Sequence, residues 1–368
     1  MRALIVSGLY ADSQHRGKLR ALAGLGVELG VAIPNGSVGL DAGVRLLPIP
    51  ASGDAADAAT LRWDAGALRR TLSDFRPALV QIEEEPASPA GYASGSACRR
   101  LGIPYVVFSW ESLSRRRGLL EARRWRRTRD GAAALLAGNR HALALLRTGA
   151  RTMPGAVLPQ TGLTPKESPP RLGPRGNLSI GFVGRLVPER GGEMLLRACG
   201  QLLGSWSLTV VGTGPEQESL EELAQRLGLA SRIRWMGGLP RADLEPLWES
   251  FDVLVLPSRE TPAWVERHSP ILLDAMMLGV APIVTPAGAL PELVGDAGIV
   301  VEDVDGLLLA LQELVADPEK CRVLGQQARQ RTLDSYVETA LARRTLDFWL
   351  DILARPSPAV RAEISGTA

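Results

Sequence analysis

The stretch GLTPKESPPRLGPRGN (162–177), followed at once by LSIGFVG (178–184), decides the fold. Its first part holds four prolines and three glycines with almost nothing apolar, the composition of an exposed linker. Its second part is a short apolar run ending at a glycine, which reads as a strand. A chain that breaks in this way and then restarts is expected to form two domains. Their bounds are placed at 1–163 and 177–344 around a linker at 164–176.

Working outward, RALIVSGL (2–9) is an apolar run followed by KLRALAGLG (18–26), with Leu19, Leu22 and Leu25 at helical spacing. The alternation recurs at ALVQIE (78–83), PYVVFSW (104–110) and AALLAG (133–138). Beyond the linker it continues through SLTVVG (207–212), IRWMG (233–237), DVLVLPS (252–258), APIVTP (281–286) and GIVV (298–301). Apolar strands alternating with helices imply an α/β chain with doubly wound parallel sheets. VETALARRTLDFWLDILAR (337–355) places Leu341, Thr345, Leu346, Trp349 and Ile352 near one helical face, a long closing helix. Its end, about 345–368, is expected to pack back on the first domain, with residues 356–368 loose.

At 368 residues and 45% hydrophobic content the chain exceeds one typical core. A net charge of +2 gives no global argument for nucleic acid. The N-terminal apolar run is too short for a signal peptide, and no stretch of about 18 apolar residues is present, so a cytoplasmic protein is expected. Cys98, Cys199 and Cys321 lie far apart with no paired spacing and read as inert thiols.

The histidines stand at 15, 141 and 268, and no Gly-x-Ser-x-Gly occurs, which argues against a hydrolase triad. The P-loop and Gly-x-Gly-x-x-Gly fingerprints are also missing; Gly212-Thr213-Gly214 is the nearest approach, and a tight turn explains it equally.

In ERHSPILLDAMMLG (266–279), Ser269 suits an N-cap, Pro270 the first helical position, and Gly279 the end. The helix start, with free amides expected at Ile271 and Leu272, is an anion site fit for a phosphate. Asp274, one turn inside, leans back toward it at the distance of a ribose hydroxyl. Glu266 lies before the helix, placed to accept from sugar hydroxyls. The alternative is that both carboxylates are ordinary surface charges. GFVGRLVPERGG (181–192) adds Arg185 and Arg190 in a loop after a strand, where guanidinium groups suit a diphosphate or, as the alternative, are simply solvated.

Through these residues the chain resembles glycosyltransferase family 4, the retaining nucleotide-sugar transferases of the GT-B fold. That family pairs a Gly-Arg-Leu-x-x-Glu-Lys-Gly loop with a Glu-x7-Glu signature; here they read GRLVPERG (184–191) and ERHSPILLDAM (266–276). VVGTGPE (210–216), VLVLPSRETPAWVE (253–266), TPAGALPELVGDAG (285–298), QIEEEPAS (81–88), VVFSWES (106–112) and LLAGN (135–139) extend the likeness along nearly the whole chain. The resemblance implies two Rossmann-like domains facing across a cleft. It implies that Arg185 and Arg190, beside Gly184 and Gly212, hold the diphosphate and that Glu266 meets the transferred sugar. It further implies Asp274 on the ribose, backbone at Gly237 and Gly238 on the base, and Ser269, Pro270, Ile271 and Leu272 at the distal phosphate.

Arg190 stands where the family has Lys, and Asp274 where it has Glu. His268-Ser269 replaces a frequent Phe-Gly, and Trp110, followed by Glu111, takes the place of a first-domain His. HRGK (15–18) occupies the position of a glycine-pair loop, so His15 or Arg16 faces acceptor or phosphate, with a solvated loop residue as the alternative for each. The expected reaction is retaining transfer from a UDP- or GDP-linked sugar to a hydroxyl acceptor, a glycan, glycolipid or natural-product intermediate, without a metal or other cofactor. The rival readings are an epimerase on the same fold and a non-catalytic nucleotide-sugar-binding subunit.

SRRRGLLEARRWRRTR (114–129) holds eight arginines against one glutamate, with Leu119, Leu120 and Trp125 interleaved. It reads either as a basic amphipathic helix making peripheral contact with the inner face of an anionic membrane or as a solvated face near a charged acceptor. A single Trp offers little stacking for nucleic acid.

Overall fold

A computed structural model describes residues 1–54, 57, 59–167, 173–174 and 176–355. It divides into two compact units, Met1–Thr164 with Glu338–Ala368, and Pro165–Val337. The chain therefore re-enters the first unit at Glu338, earlier than the expected position near 345. Part of the expected linker (168–172 and 175) and the tail 356–368 lie outside the described residues.

The first unit is built on β1 (Arg2–Val6), β2 (Glu28–Pro34), β3 (Gly39–Asp41), β4 (Val44–Ile49), the short ribbon of β5 (Ala51–Ser52) and β6 (Arg62–Trp63), then β7 (Leu79–Ile82), β8 (Tyr105–Ser109), β9 (Ala134–Ala137) and β10 (Gly155–Val157). Its main sheet runs β10-β9-β8-β7-β1-β2-β4-β3, parallel except where β3 meets β4. Along each strand, alternate residues enter opposite faces. Leu4, Val6, Val80, Ile82 and Val107 fill one core; Ala3, Ile5, Leu79, Val106 and Phe108 fill the other. The closing helix Glu338–Ala354 inserts Leu341, Ala342, Trp349 and Ile352 into the second of these, beside Leu19 and Leu22. Trp349 also donates to Gln81 Oε1 at 2.8 Å, so a buried indole N–H keeps a partner.

The second unit holds β11 (Leu178–Val183), β12 (Trp206–Val211), β13 (Ile233–Trp235), β14 (Val253–Leu256), β15 (Ala281–Val284) and β16 (Ile299–Val300). All six are parallel, in the order β13-β12-β11-β14-β15-β16. The strand order reverses between β11 and β14. In an open α/β sheet ligands bind outside the carboxyl ends of the strands at such a reversal. The loops that begin at Gly184 and Pro257 are therefore the ones positioned for binding. In the first unit the corresponding reversal lies between β1 and β7.

Candidate active site

The loop leaving β11 makes a single 3₁₀ turn at Pro188–Arg190 and enters the helix Gly192–Cys199. Gly191 has a φ of 70°, and a Cβ there would collide with the Pro257 carbonyl. Glycine at this position lets the Arg190 loop lie directly against the end of β14. Arg259 N donates to Glu189 O at 2.8 Å and fastens the two loops together.

Arg190 forms an ion pair with Glu266 across these loops. Glu266, the carboxylate expected to accept from sugar hydroxyls, is only 5% exposed and is held by this guanidinium. Burial raises the Glu266 pKa, and the neighbouring Arg190 charge opposes that shift. The Arg190 guanidinium also lies over the Trp264 ring, 5.1 Å from its centroid. Gly288 supports the other side with a φ of 55°, since a Cβ there would strike the Glu266 backbone. Arg185, in the same loop as Arg190, is exposed and has no ion pair among the described residues.

The helix after Glu266 spans Pro270–Met277 with Ser269 as N-cap. Ser269 Oγ accepts from Leu272 N at 3.4 Å. One of the two amides expected to be free thus has a partner inside the cap, because the residue that starts the helix also satisfies its first turn. Pro270 and Ile271 remain at the helix start beside Glu266.

Asp274 is gripped by Arg241, Nε to Oδ2 at 2.6 Å and Nη2 to Oδ1 at 2.8 Å. The carboxylate expected on the ribose is thus paired with a guanidinium. Arg241 opens the turn Arg241–Leu244 after β13, so the pair ties that loop to the helix after β14. His268 lies close to the pair; burial holds its imidazole down at about 4, and Arg241 pushes the same way. Backbone bonds join the glycines of this edge: Gly184 N donates to Val211 O at 2.9 Å, and Gly212 N to Gly237 O at 2.7 Å. Gly238 lies against Thr213.

Residues 177–317 match the family profile described as glycosyl transferases group 1. Over this segment the chain is similar to the glycosyl transferases group 1 family. Its strands β11 to β16 and the Arg190–Glu266 pair all fall inside the matched segment. Among curated proteins, the chain is 34% identical over 161 residues to the GDP-mannose-dependent α-(1-6)-phosphatidylinositol monomannoside mannosyltransferase of Mycolicibacterium smegmatis. That match covers 41% of this chain and 42% of the relative, so less than half of the relative's length is spanned. Among solved structures, sucrose-phosphate synthase from Thermosynechococcus elongatus aligns with a TM-score of 0.65 at 18% identity, over 96% of this chain and 99% of that one. The Anabaena protein Alr3699/HepE in complex with UDP aligns with a TM-score of 0.64 at 17% identity, over 95% and 100%. These likenesses give the fold: GT-B, with two Rossmann-like units, the second of which contains the matched segment 177–317.

The acceptor-side residues of the first unit are placed differently from expectation. Arg16 is buried and donates to the carbonyls of Tyr10 and Ala11 at 2.7 and 2.8 Å and to Asp41 Oδ2 at 3.0 Å. Its donors are engaged within the fold, so it staples the loop after β1 rather than facing a ligand. Trp110 donates to Gln160 Oε1 at 2.5 Å, and its ring fills the space where Gly138 would carry a Cβ. Its contacts, too, are internal. Glu111 is paired with Arg115 and Arg117. His15 is half-buried on the turn Ser13–Arg16.

The basic segment is helical only over Leu119–Asp130. Trp125 is buried, with Arg117 and Arg129 over its ring at 4.7 and 4.2 Å from the centroid. Leu119 and Leu120 instead stand 92% and 71% exposed. The two leucines and Trp125 therefore do not share one exposed face, and the indole packs under two guanidinium groups. Among the described residues no helix is long and apolar enough to cross a membrane, and no group of three or more His, Cys, Asp or Glu is placed to hold a metal ion.

Arg241 and Trp264 were not marked by the sequence. Trp264 sits inside the quoted stretch VLVLPSRETPAWVE without a role, and Arg241 is far from Asp274 in the chain. Neither contact leaves a periodic signal.

Proposed function

We propose that the protein is a retaining glycosyltransferase that moves a sugar from a UDP- or GDP-linked donor to a hydroxyl acceptor. The observation that carries this reading is the Arg190–Glu266 pair at the strand-order reversal, beside the start of the helix Pro270–Met277. A nucleoside diphosphate leaves readily once its charge is balanced, and Arg190, Arg185 and the helix start supply that balance. Entry of the diphosphate draws Arg190 from carboxylate to phosphate, and Glu266 is released to accept from hydroxyls of the transferred sugar. The bond between the anomeric carbon and the phosphate oxygen breaks, and a bond to the acceptor oxygen forms on the same face. The acceptor proton passes to the departing phosphate oxygen.

The relative from Mycolicibacterium smegmatis, named as GDP-mannose-dependent, supports a GDP-linked donor. No metal is required in this scheme, since fixed cations and amide dipoles do its electrostatic work. We place peripheral contact with an anionic lipid surface at Leu119 and Leu120, which stand exposed among arginines.

The test is transfer from GDP- and UDP-sugars by wild type and Glu266→Gln, with the anomeric configuration of the product read by NMR. Transfer with retention that is lost in the variant supports the reading. Inversion overturns the mechanism, and donor conversion without any acceptor identifies an epimerase instead. Nucleotide binding with no turnover toward any acceptor identifies a binding subunit.

A further inference from the structure

The Arg241–Asp274 pair has more hydrogen-bonding capacity than the fold uses. Arginine carries five N–H donors, and a carboxylate accepts at about four lone-pair sites. Two donors and two acceptor sites are joined in the fork between these side chains. The Arg241 side chain is 53% exposed, against 17% for Asp274, so the unused donors lie on the open side. His268, held neutral beside the pair, adds no competing charge. The two partners come from different strand-end loops, which makes the fork a fixed joint and not a chance surface contact.

We propose that Arg241 is a donor-positioning residue that forms, with Asp274, a two-part clamp on the ribose of the nucleoside diphosphate sugar. Asp274 accepts from one ribose hydroxyl while Arg241 donates to its neighbour. Vicinal hydroxyls are both donors and acceptors, and a guanidinium beside a carboxylate presents the matching pair. The short reach of Asp274 is thereby made up from the opposite loop by the long side chain of Arg241. This inference rests on the donor reading above.

The experiment measures dissociation constants of GDP, UDP and their 2′-deoxy and 3′-deoxy forms for wild type, Arg241→Ala, Arg241→Lys and Asp274→Asn. For the nucleotide that binds, wild type is expected to lose about tenfold or more when either hydroxyl is removed, the scale of a charge-assisted hydrogen bond. In Arg241→Ala the parent weakens by a similar factor and the penalty for one deoxy form disappears. Asp274→Asn reduces the penalty for the other, and Arg241→Lys restores part of the first. If Arg241→Ala leaves affinity within about twofold, or weakens the parent and both deoxy forms by one common factor, the clamp is wrong and the pair is a loop staple. The donor reading survives that result. Absence of binding by every nucleotide to wild type overturns both.

Discussion

Arg190 donates to Glu266 with its guanidinium over the ring of Trp264, so the cation assigned to the diphosphate and the carboxylate assigned to the sugar are in direct contact before any donor arrives. The contact joins two loops that the strand order brings to one point. It makes the two groups interdependent in stability as well as in chemistry.

Removal of Arg190 leaves a buried carboxylate without its counter-charge. Arg190→Ala is expected to lower stability by about 1–3 kcal/mol, below the range for a fully buried pair because the guanidinium is partly exposed. Chemical denaturation checks this. Arg190→Lys keeps the charge but loses the planar fork and the flat contact with Trp264, and is expected to fall between wild type and Arg190→Ala in both stability and turnover.

Glu266→Gln frees Arg190 from ionic pairing with the carboxylate. Turnover is expected to fall by roughly 100-fold or more, as for loss of a group acting mainly in the transition state. Affinity for the nucleoside diphosphate is expected to hold or rise. Calorimetric titration beside initial rates separates the two effects, and a parallel loss of nucleotide affinity contradicts the assigned roles.

At the strand reversal of the first unit, Gly8 N donates to Glu84 Oε1 at 2.6 Å, and burial pushes the Glu84 pKa up to about 7. The folded chain then holds a proton that the unfolded chain releases near 4.5. The associated stability is full below 4.5 and is lost as pH rises toward 7. Glu84→Gln is expected to gain melting temperature relative to wild type at pH 8 and to show little difference at pH 4.5. Thermal denaturation across this range is the check; a pH-independent difference contradicts it.

Leu119→Glu together with Leu120→Glu removes the exposed apolar pair and adds two like-charge conflicts with an anionic surface. Sedimentation with vesicles containing anionic lipid is expected to fall roughly tenfold or more relative to wild type. Trp125→Ala, by contrast, is expected to act on stability, since its ring lies between Arg117 and Arg129.

Much of this organisation was legible in the residues. The runs at 178–184 and 253–256 are strands because uninterrupted apolar stretches suit a sheet covered on both faces, and Ser269-Pro270 starts a helix for capping reasons. Glu28–Pro34 and Val44–Ile49 escaped notice, the latter carrying Arg45 and Pro48 within a strand next to the sheet edge. Local structure at the candidate site was legible, as at the Ser269 cap. The site was illegible where two distant loops meet: nothing near Asp274 announces Arg241, and nothing near Trp110 announces Gln160. The packing of Trp125 in the basic segment was illegible for a related reason. Periodicity counts Trp125 as apolar, whereas its π face drew two arginines over it.

The most direct test of the central claim is a thermal-shift panel of UDP, GDP, ADP and TDP and their sugars against wild type and Arg185→Ala/Arg190→Ala. Binding to the folded state raises the transition by mass action, by an amount that grows with concentration above the dissociation constant. The account predicts a concentration-dependent rise with GDP or UDP and its sugar that the double variant loses. A flat response to every nucleotide, or a rise that the double variant retains in full, contradicts it.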